Sequence, residues 1–267
     1  MAATTNSKPL SLNCFHDGIS CLAGGKGWFL VVLLMYLLLA GFIQAENTTN
    51  IFQSRAEKAY QIAREAYLAA PKNDEAVWRY GRACFDLAEF AKDDDAREKL
   101  ALEGIEVCRV LVARSPKHAA GHYYLGMNLG QLARTKMLGA LSIVREMEAV
   151  FKRSADLDNK FHFSGADRCL GLIYLDAPGW PTSIGSKSKA RQHLQRCVEL
   201  SPEYPDNHLE LMEAYLEWKD IKTLQKAAKT YEALLPKARE TFTGEKWEEN
   251  WLDWDKRWQA IQAKMKK

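Results

Sequence analysis

The feature that most constrains this 267-residue chain is a step of 45 residues between three like pairs, Tyr80-Gly81, Leu125-Gly126 and Leu170-Gly171. Each pair lies inside a stretch with helical spacing of its apolar residues. A glycine in mid-helix costs about 1 kcal/mol relative to alanine. Three of them at one spacing are therefore expected where two helix backbones approach too closely for a side chain. A fixed step of this size marks a repeat array, in which each unit buries its apolar face against its neighbours.

A second pattern runs in phase with the first. Ala59, Ala63, Ala66 and Pro71 recur at identical spacing as Gly104, Cys108, Leu111 and Pro116, and again as Ala190, Leu194, Cys197 and Pro202. Met147, Phe151 and Ser154 repeat it with Asn159 replacing the proline. Such residues suit the packed face of a second helix that a proline then stops, so that the next helix folds back. No stretch alternates convincingly as a strand would, and the expected class is all-α.

This pairing resembles the tetratricopeptide repeat, whose first helix carries a Leu-Gly pair and whose second carries small and large apolar residues before a proline. The resemblance implies an α-solenoid of about five helix pairs over residues 54–240. The usual repeat is 34 residues, so a 45-residue step leaves about 11 extra, or about 16 Å of helix, and the helices should be long. Residues 176–186, rich in Pro and Gly, cannot be helical and turn the surplus of one unit into a loop. In the first helix of the fifth unit, near Leu209 to Trp218, Met212 stands where glycine is expected. Trp247, Trp251, Trp254, Trp258 and Ile261 share one helical face within residues 241–267, as expected of a helix that caps the open end of a solenoid.

Residues 28–43 form an uninterrupted apolar stretch after Lys26. Its length falls between the core of a signal peptide and a membrane span. Two readings of residues 1–45 follow: a signal peptide cleaved after Ala45, or an N-terminal membrane anchor. In both, residues 46–53 form a linker and the body is exported across the cytoplasmic membrane to the periplasm, with any membrane association through residues 28–43.

Lys and Arg total 37 against 34 Asp and Glu, a near-neutral mixture that lacks the concentrated basic face nucleic acid requires. Cys84, Cys108, Cys169 and Cys197 have no metal-ligand spacing and fall at helix-packing positions. Cys169 and Cys197 lie on paired helices, so a disulfide and buried free thiols are both open. His118, His122, His162, His193 and His208 read as helix-surface or turn residues, without a His-Glu-x-x-His pattern. No metal, cofactor or enzymatic activity is expected.

Four segments are similar to the T component of bacterial TRAP transporters: Gly121 to Gly126, Gly165 to Tyr174, the loop from Ala177-Pro178-Gly179-Trp180-Pro181 through Gly185, and Pro205 to Leu209. That resemblance implies a periplasmic solenoid with a pore or groove, associated with a substrate-binding protein and handling a hydrophobic or organic-acid ligand. The cysteine that lipid-anchors those relatives is missing from Phe42 to Asn50.

In such arrays the first helices line a concave groove. The corresponding positions are Trp78, Arg82 and Phe85, then Tyr123, Met127 and Gln131, then Arg168 and Leu172, continuing to Leu175, Leu209 and Glu213. An apolar, aromatic lining with two arginines suits a small amphipathic ligand whose acid group pairs with Arg82 or Arg168. Alternatively Phe85 and Leu172 belong to the core, and the arginines pair with Asp86 or Asp167. The loop carrying Pro178, Trp180 and Pro181 either gates the groove or uses Trp180 to plug a gap between helix pairs. The expected function is that of a non-catalytic accessory of TRAP-type solute transport, with an envelope scaffold that binds proteins through the groove as the alternative.

Overall fold

A computed structural model of the chain describes residues 50–136 and 139–266. Residues 51–267 form one compact unit. The apolar stretch 28–43 and the cleavage position after Ala45 lie outside the described residues. Among those described, no helix is long and apolar enough to cross a membrane.

The described chain is built from α-helices: α1 (residues 50–69), α2 (Asp74–Ala88), α3 (Asp94–Arg114), α4 (Ala119–Arg134), α5 (Ala140–Leu157), α6 (Phe161–Asp176), α7 (Lys187–Leu200), α8 (Pro205–Glu217), α9 (Ile221–Thr241) and α10 (Glu248–Met265). Helix α1 starts at residue 50, inside the span 46–53 that the sequence suggested as linker, and residues 46–49 of that span lie outside the described residues. Short polar turns separate the helices. Asn73 accepts hydrogen bonds from the amides of Glu75 and Ala76, Asp93 from Ala96 and Asp220 from Thr223, satisfying donors left open at helix starts.

Helices pair as α2/α3, α4/α5, α6/α7 and α8/α9. The first members also touch in sequence, α2 with α4, α4 with α6, α6 with α8, and α8 with α10. An inner layer of first helices is thus backed by an outer layer of second helices. As the 45-residue step implied, α3 and α9 reach 21 residues, while α7, which follows the long loop, has 14.

The three spaced glycines are three copies of one contact. A Cβ on Gly126 would lie 2.6 Å from the Phe151 ring, one on Gly171 2.6 Å from Leu194 Cγ, and one on Gly81 would overlap Cys108 Sγ. Cys108, Phe151 and Leu194 are the second position of the recurring second-helix pattern. Gly104 plays the converse part on α3: a side chain there would overlap Asn128, whose amide donates to the Gly81 and Tyr124 carbonyls at 2.8 Å each.

The core has two clusters, one of residues between Val77 and Ala190 and one of residues between Leu194 and Ile261, with half-buried Leu175 and Trp218 packed against both. Helix α10 buries Trp254, Trp258 and Ile261 on the face expected of a cap, while Trp247 sits just before it in a 3-10 turn. All four described cysteines are free thiols, so Cys169 and Cys197 are not bridged. Burial pushes the Cys108 and Cys197 thiols up to about 12 and the Cys169 thiol up to about 11.

The two ends of this unit meet. Arg55 of α1 reaches Glu245 at 3.0 Å and Glu248 at 2.7 Å, at the entry to α10.

The glycine contact makes a prediction whose sign runs against helix propensity. Gly81→Ala gains about 1 kcal/mol of intrinsic helix preference, yet overpacking against Cys108 should leave a net loss of about 1–3 kcal/mol in urea unfolding. With Cys108→Ala added, the double variant should lose less than the sum of the two singles. Additive losses would mean that the Sγ contact is not the cause.

Candidate interaction surface

The inner layer carries a continuous run of aromatic rings from α2 to α10. Trp78 stacks on Tyr124 at 5.6 Å, and Tyr123 and Tyr124 meet Phe161 edge to face. His162 stacks on Tyr123 at 5.3 Å and Phe163 on Tyr204 at 4.3 Å. Phe242, Trp247 and Trp254 close the run around Tyr204.

The middle of this run depends on an unusual backbone. His162, Phe163 and Ser164 all adopt left-handed conformations, with φ of 51°, 55° and 58°. For residues bearing a Cβ this costs roughly 1–2 kcal/mol each. The surroundings hold the turn in place. Ser164 Oγ lies 2.8 Å from Ser201 Oγ, and Asn207 Nδ2 donates to the Phe163 carbonyl at 3.0 Å. The same amide group reaches the Cys197 and Ser201 carbonyls. Gly165, just after the turn, leaves room for Tyr123. The result is one aromatic side chain delivered to each neighbouring helix, His162 to α4 and Phe163 to the start of α8.

His162 is a half-buried, neutral imidazole in the left-handed turn. Burial, with Arg168 and Arg82 nearby, pushes it down to about 3. His208 and His122 are also lowered by burial, and each ring Nε2 pairs with a turn carbonyl, of Pro202 at 2.8 Å and Pro116 at 3.0 Å. His118 caps α4 by accepting from the Gly121 amide, and His193 Nδ1 lies 2.7 Å from the buried carboxylate of Asp167.

The first eight of the groove positions read from the sequence stand on α2, α4 and α6, in different settings. Tyr123, Gln131 and Arg168 are buried, and Trp78, Phe85, Met127 and Leu172 are half-buried. Arg82 is exposed, paired with Asp86 of its own helix at 3.2 Å. Arg168 holds helices together: it donates to Asn207 Oδ1 at 2.7 Å, pairs with Asp206 at 3.2 Å and lies over the Tyr204 ring. Arg257 of α10 gathers Asp206, Glu210 and Glu213 of α8, at 2.7, 2.9 and 2.7 Å. Gln131 and Arg134 of α4 both reach Glu89.

Carboxylates outnumber arginines on this surface, and several are disfavoured there. Burial raises Glu210 to about 7 despite Arg257. Asp86 is raised by burial in spite of Arg82. Glu249 of α10 is raised by burial together with the charges of Asp86 on α2 and Glu89 just past its end.

Pro178, Trp180 and Pro181 stand on the exposed loop after α6, and Trp180 is 90% exposed, so it plugs no gap between helix pairs. Among the described residues no cluster of His, Cys, Asp or Glu is arranged to hold a metal ion. Sequence reasoning missed the left-handed turn and the role of Asn207. The one available signal was Gly165 directly after a dense aromatic stretch.

A tetratricopeptide-repeat protein of Thermus thermophilus, solved by crystallography, superposes with a TM-score of 0.58 at 19% identity, covering 79% of this chain and 92% of that one. The fold is a tetratricopeptide-type solenoid. Residues 42–140 match the family model described as regulator of microtubule dynamics protein 1-3. Regulator of microtubule dynamics protein 3 of Rattus norvegicus is 22% identical over 185 residues, and that of Mus musculus 21% identical over 186. The matches cover 67% and 68% of this chain, and the chain spans about 30% of the length of these curated relatives.

Two half-buried titrating groups on the inner face pull stability in opposite directions with pH. His162, lowered from 6.5 to about 3, takes up a proton far more readily when unfolded, so its contribution is lost as pH falls through that interval. Glu210, raised from 4.5 to about 7, is protonated more readily when folded, so its contribution is lost as pH rises through that interval. Urea unfolding between pH 5 and pH 7, values chosen within about a unit of these intervals, should separate the two. Glu210→Gln should steepen the loss of stability towards acid by up to about 1.4 kcal/mol per pH unit, and His162→Phe should flatten it. Unchanged slopes in both variants would contradict these assignments.

Proposed function

We propose that this chain is a non-catalytic scaffold that binds a protein partner along the inner face of its solenoid, near the junction of α2 and α10. The supporting observation is how charge is used there. Arg168 and Arg257 are spent joining helices, and Glu89 is spent on α4. Arg82 and Asp86, in contrast, pair only within α2, with 49% and 41% of their side chains exposed, and Glu249 stands nearby. Charges not committed to the fold, beside half-buried Trp78, suit recognition of a polar segment with an apolar anchor. Solenoids of this type are generally binding platforms rather than enzymes.

The similarity to regulators of microtubule dynamics supports seeking the partner in the microtubule system. Sedimentation with assembled microtubules should carry the full chain into the pellet, and Arg82→Glu should weaken that by about tenfold, as expected of a binding hot spot. Circular dichroism should be unaltered, since the ion pair that Arg82 makes among the described residues is with Asp86 of its own helix. A chain that stays in solution would exclude a direct microtubule contact. Equal sedimentation of both forms would exclude the Arg82 surface.

A second reading, an accessory of TRAP-type transport in the periplasm that works with a substrate-binding protein, has the sequence resemblance and residues 28–43 behind it. Its hydrophobic or organic-acid ligand would depend on Arg82, because the charge of Arg168 is already matched within the protein. Native mass spectrometry of the purified chain and of Arg82→Ala tests it: ligand retained by the first and lost by the second supports transport, and no ligand on either removes it.

A further inference from the structure

Trp180 is the most exposed large apolar side chain of the described residues, at 90%. Every other described tryptophan packs against an aromatic neighbour: Trp78 on Tyr124, Trp218 on Tyr215, Trp258 on Tyr231, and Trp247 and Trp251 on Trp254. The loop that carries Trp180 is tied down. Gly185 donates to the Pro178 carbonyl at 2.9 Å, Thr182 and Ser183 donate to that of Gly179, and Ser186 donates to that of Tyr174 at 2.8 Å. Ser183 is buried inside it and Ile184 packs on the core. A closed neck therefore holds a large amphipathic ring out in water.

The chain that leaves this neck, and the turn packed against it, are rich in lysine. Lys187 and Lys189 follow the neck, and both are exposed. Lys187 lies over Trp218 at 5.6 Å, which brings the α8–α9 turn alongside, with exposed Lys219 and Lys222 and with Ile221 42% exposed. Arg191 and Asp220 neutralise one another at 3.3 Å. Lys189 lies over Tyr174 at 4.9 Å, on the side of Glu148, which leaves Lys187, Lys219 and Lys222 with the carboxylates of Asp176 and Glu217, neither of which has an ion-pair partner among the described residues.

We propose that this edge of the solenoid docks on an anionic lipid surface, with Trp180 entering the interfacial layer and the lysines set against headgroup phosphates. Tryptophan favours that layer because its ring is apolar with one polar edge. Lysines act there as mobile point charges on a diffuse field. A protein socket would instead call for fixed donors such as arginine around the anchor, and the one arginine present is already paired.

The full chain is mixed with vesicles of phosphatidylcholine containing about one part in three of phosphatidylserine, or with phosphatidylcholine alone. The readout is the fluorescence difference between the chain and its Trp180→Phe variant, quenched by lipid brominated near the headgroup end of the acyl chain. This difference removes the other tryptophans, so membrane attachment elsewhere in the chain does not mimic the result. The expected outcome is quenching in anionic vesicles, lost in neutral ones, with the combined Lys187→Glu and Lys219→Glu variant needing at least about tenfold more lipid. No quenching in anionic vesicles overturns the proposal, as does equal quenching in both kinds. It is also overturned if sedimentation shows that Trp180→Phe abolishes self-association, since a second copy would then occupy the ring. None of these outcomes bears on the α2 surface, which uses other residues.

Discussion

The structure depends on the close approach of the two helices within each repeat, at a point where the first can carry no side chain. Gly81, Gly126 and Gly171 accept Cys108, Phe151 and Leu194 directly against the backbone. Because the accepted residue differs in size, each glycine fixes the geometry of its pair while the partner fills the remaining space. With the spacing inside a pair set, the direction of the next helix follows from the turn, and four pairs stack into two layers. The asparagines then tie neighbouring first helices together: Asn128 bonds to a carbonyl of α2, and Asn207 to one at the start of α6.

This is why the architecture could be read from the chain and much of the surface could not. A glycine in a helix has a cost that only packing offsets, so its recurrence every 45 residues is a direct statement about distance. The tryptophan stripe of α10 is similar, since an apolar face at helical spacing must be covered. The left-handed turn at His162 leaves no comparable trace. His, Phe and Ser have no preference for that conformation, and it persists through contacts from Tyr123, Ser201 and Asn207, which lie far away in sequence.

The groove positions illustrate a further limit. Spacing put Arg82 and Arg168 on inner helices, but on opposite sides of their pairs: Arg82 stands two residues after Tyr80, whereas Arg168 stands two before Leu170, where α2 has Trp78. Their difference comes from the following helix. Asp206 and Asn207 stand beside Arg168 because α8 begins there, whereas nothing from α4 pairs with Arg82. The long-range ion pair from Arg55 to Glu245 and Glu248 was equally hidden, because it depends on how the curvature of all the repeats accumulates.

The charges on the inner face connect these points. Burying a carboxylate is costly unless a cation is placed against it, and α8 accumulates three around Arg257, with Glu210 held up to about 7 even so. A purely structural seam would be expected to use fewer acids or more cations. Arg257 also serves the cap: through it α10 is fastened to α8, while the other end of α10 meets Arg55 of α1. The acids of α8 thus position the helix that closes the solenoid, and that helix sets Glu249 beside Asp86 and Glu89. Any partner entering near α2 meets a surface whose spacing is controlled by this distant network. Loosening Arg257 would therefore alter that surface without touching Arg82, Asp86 or Glu249.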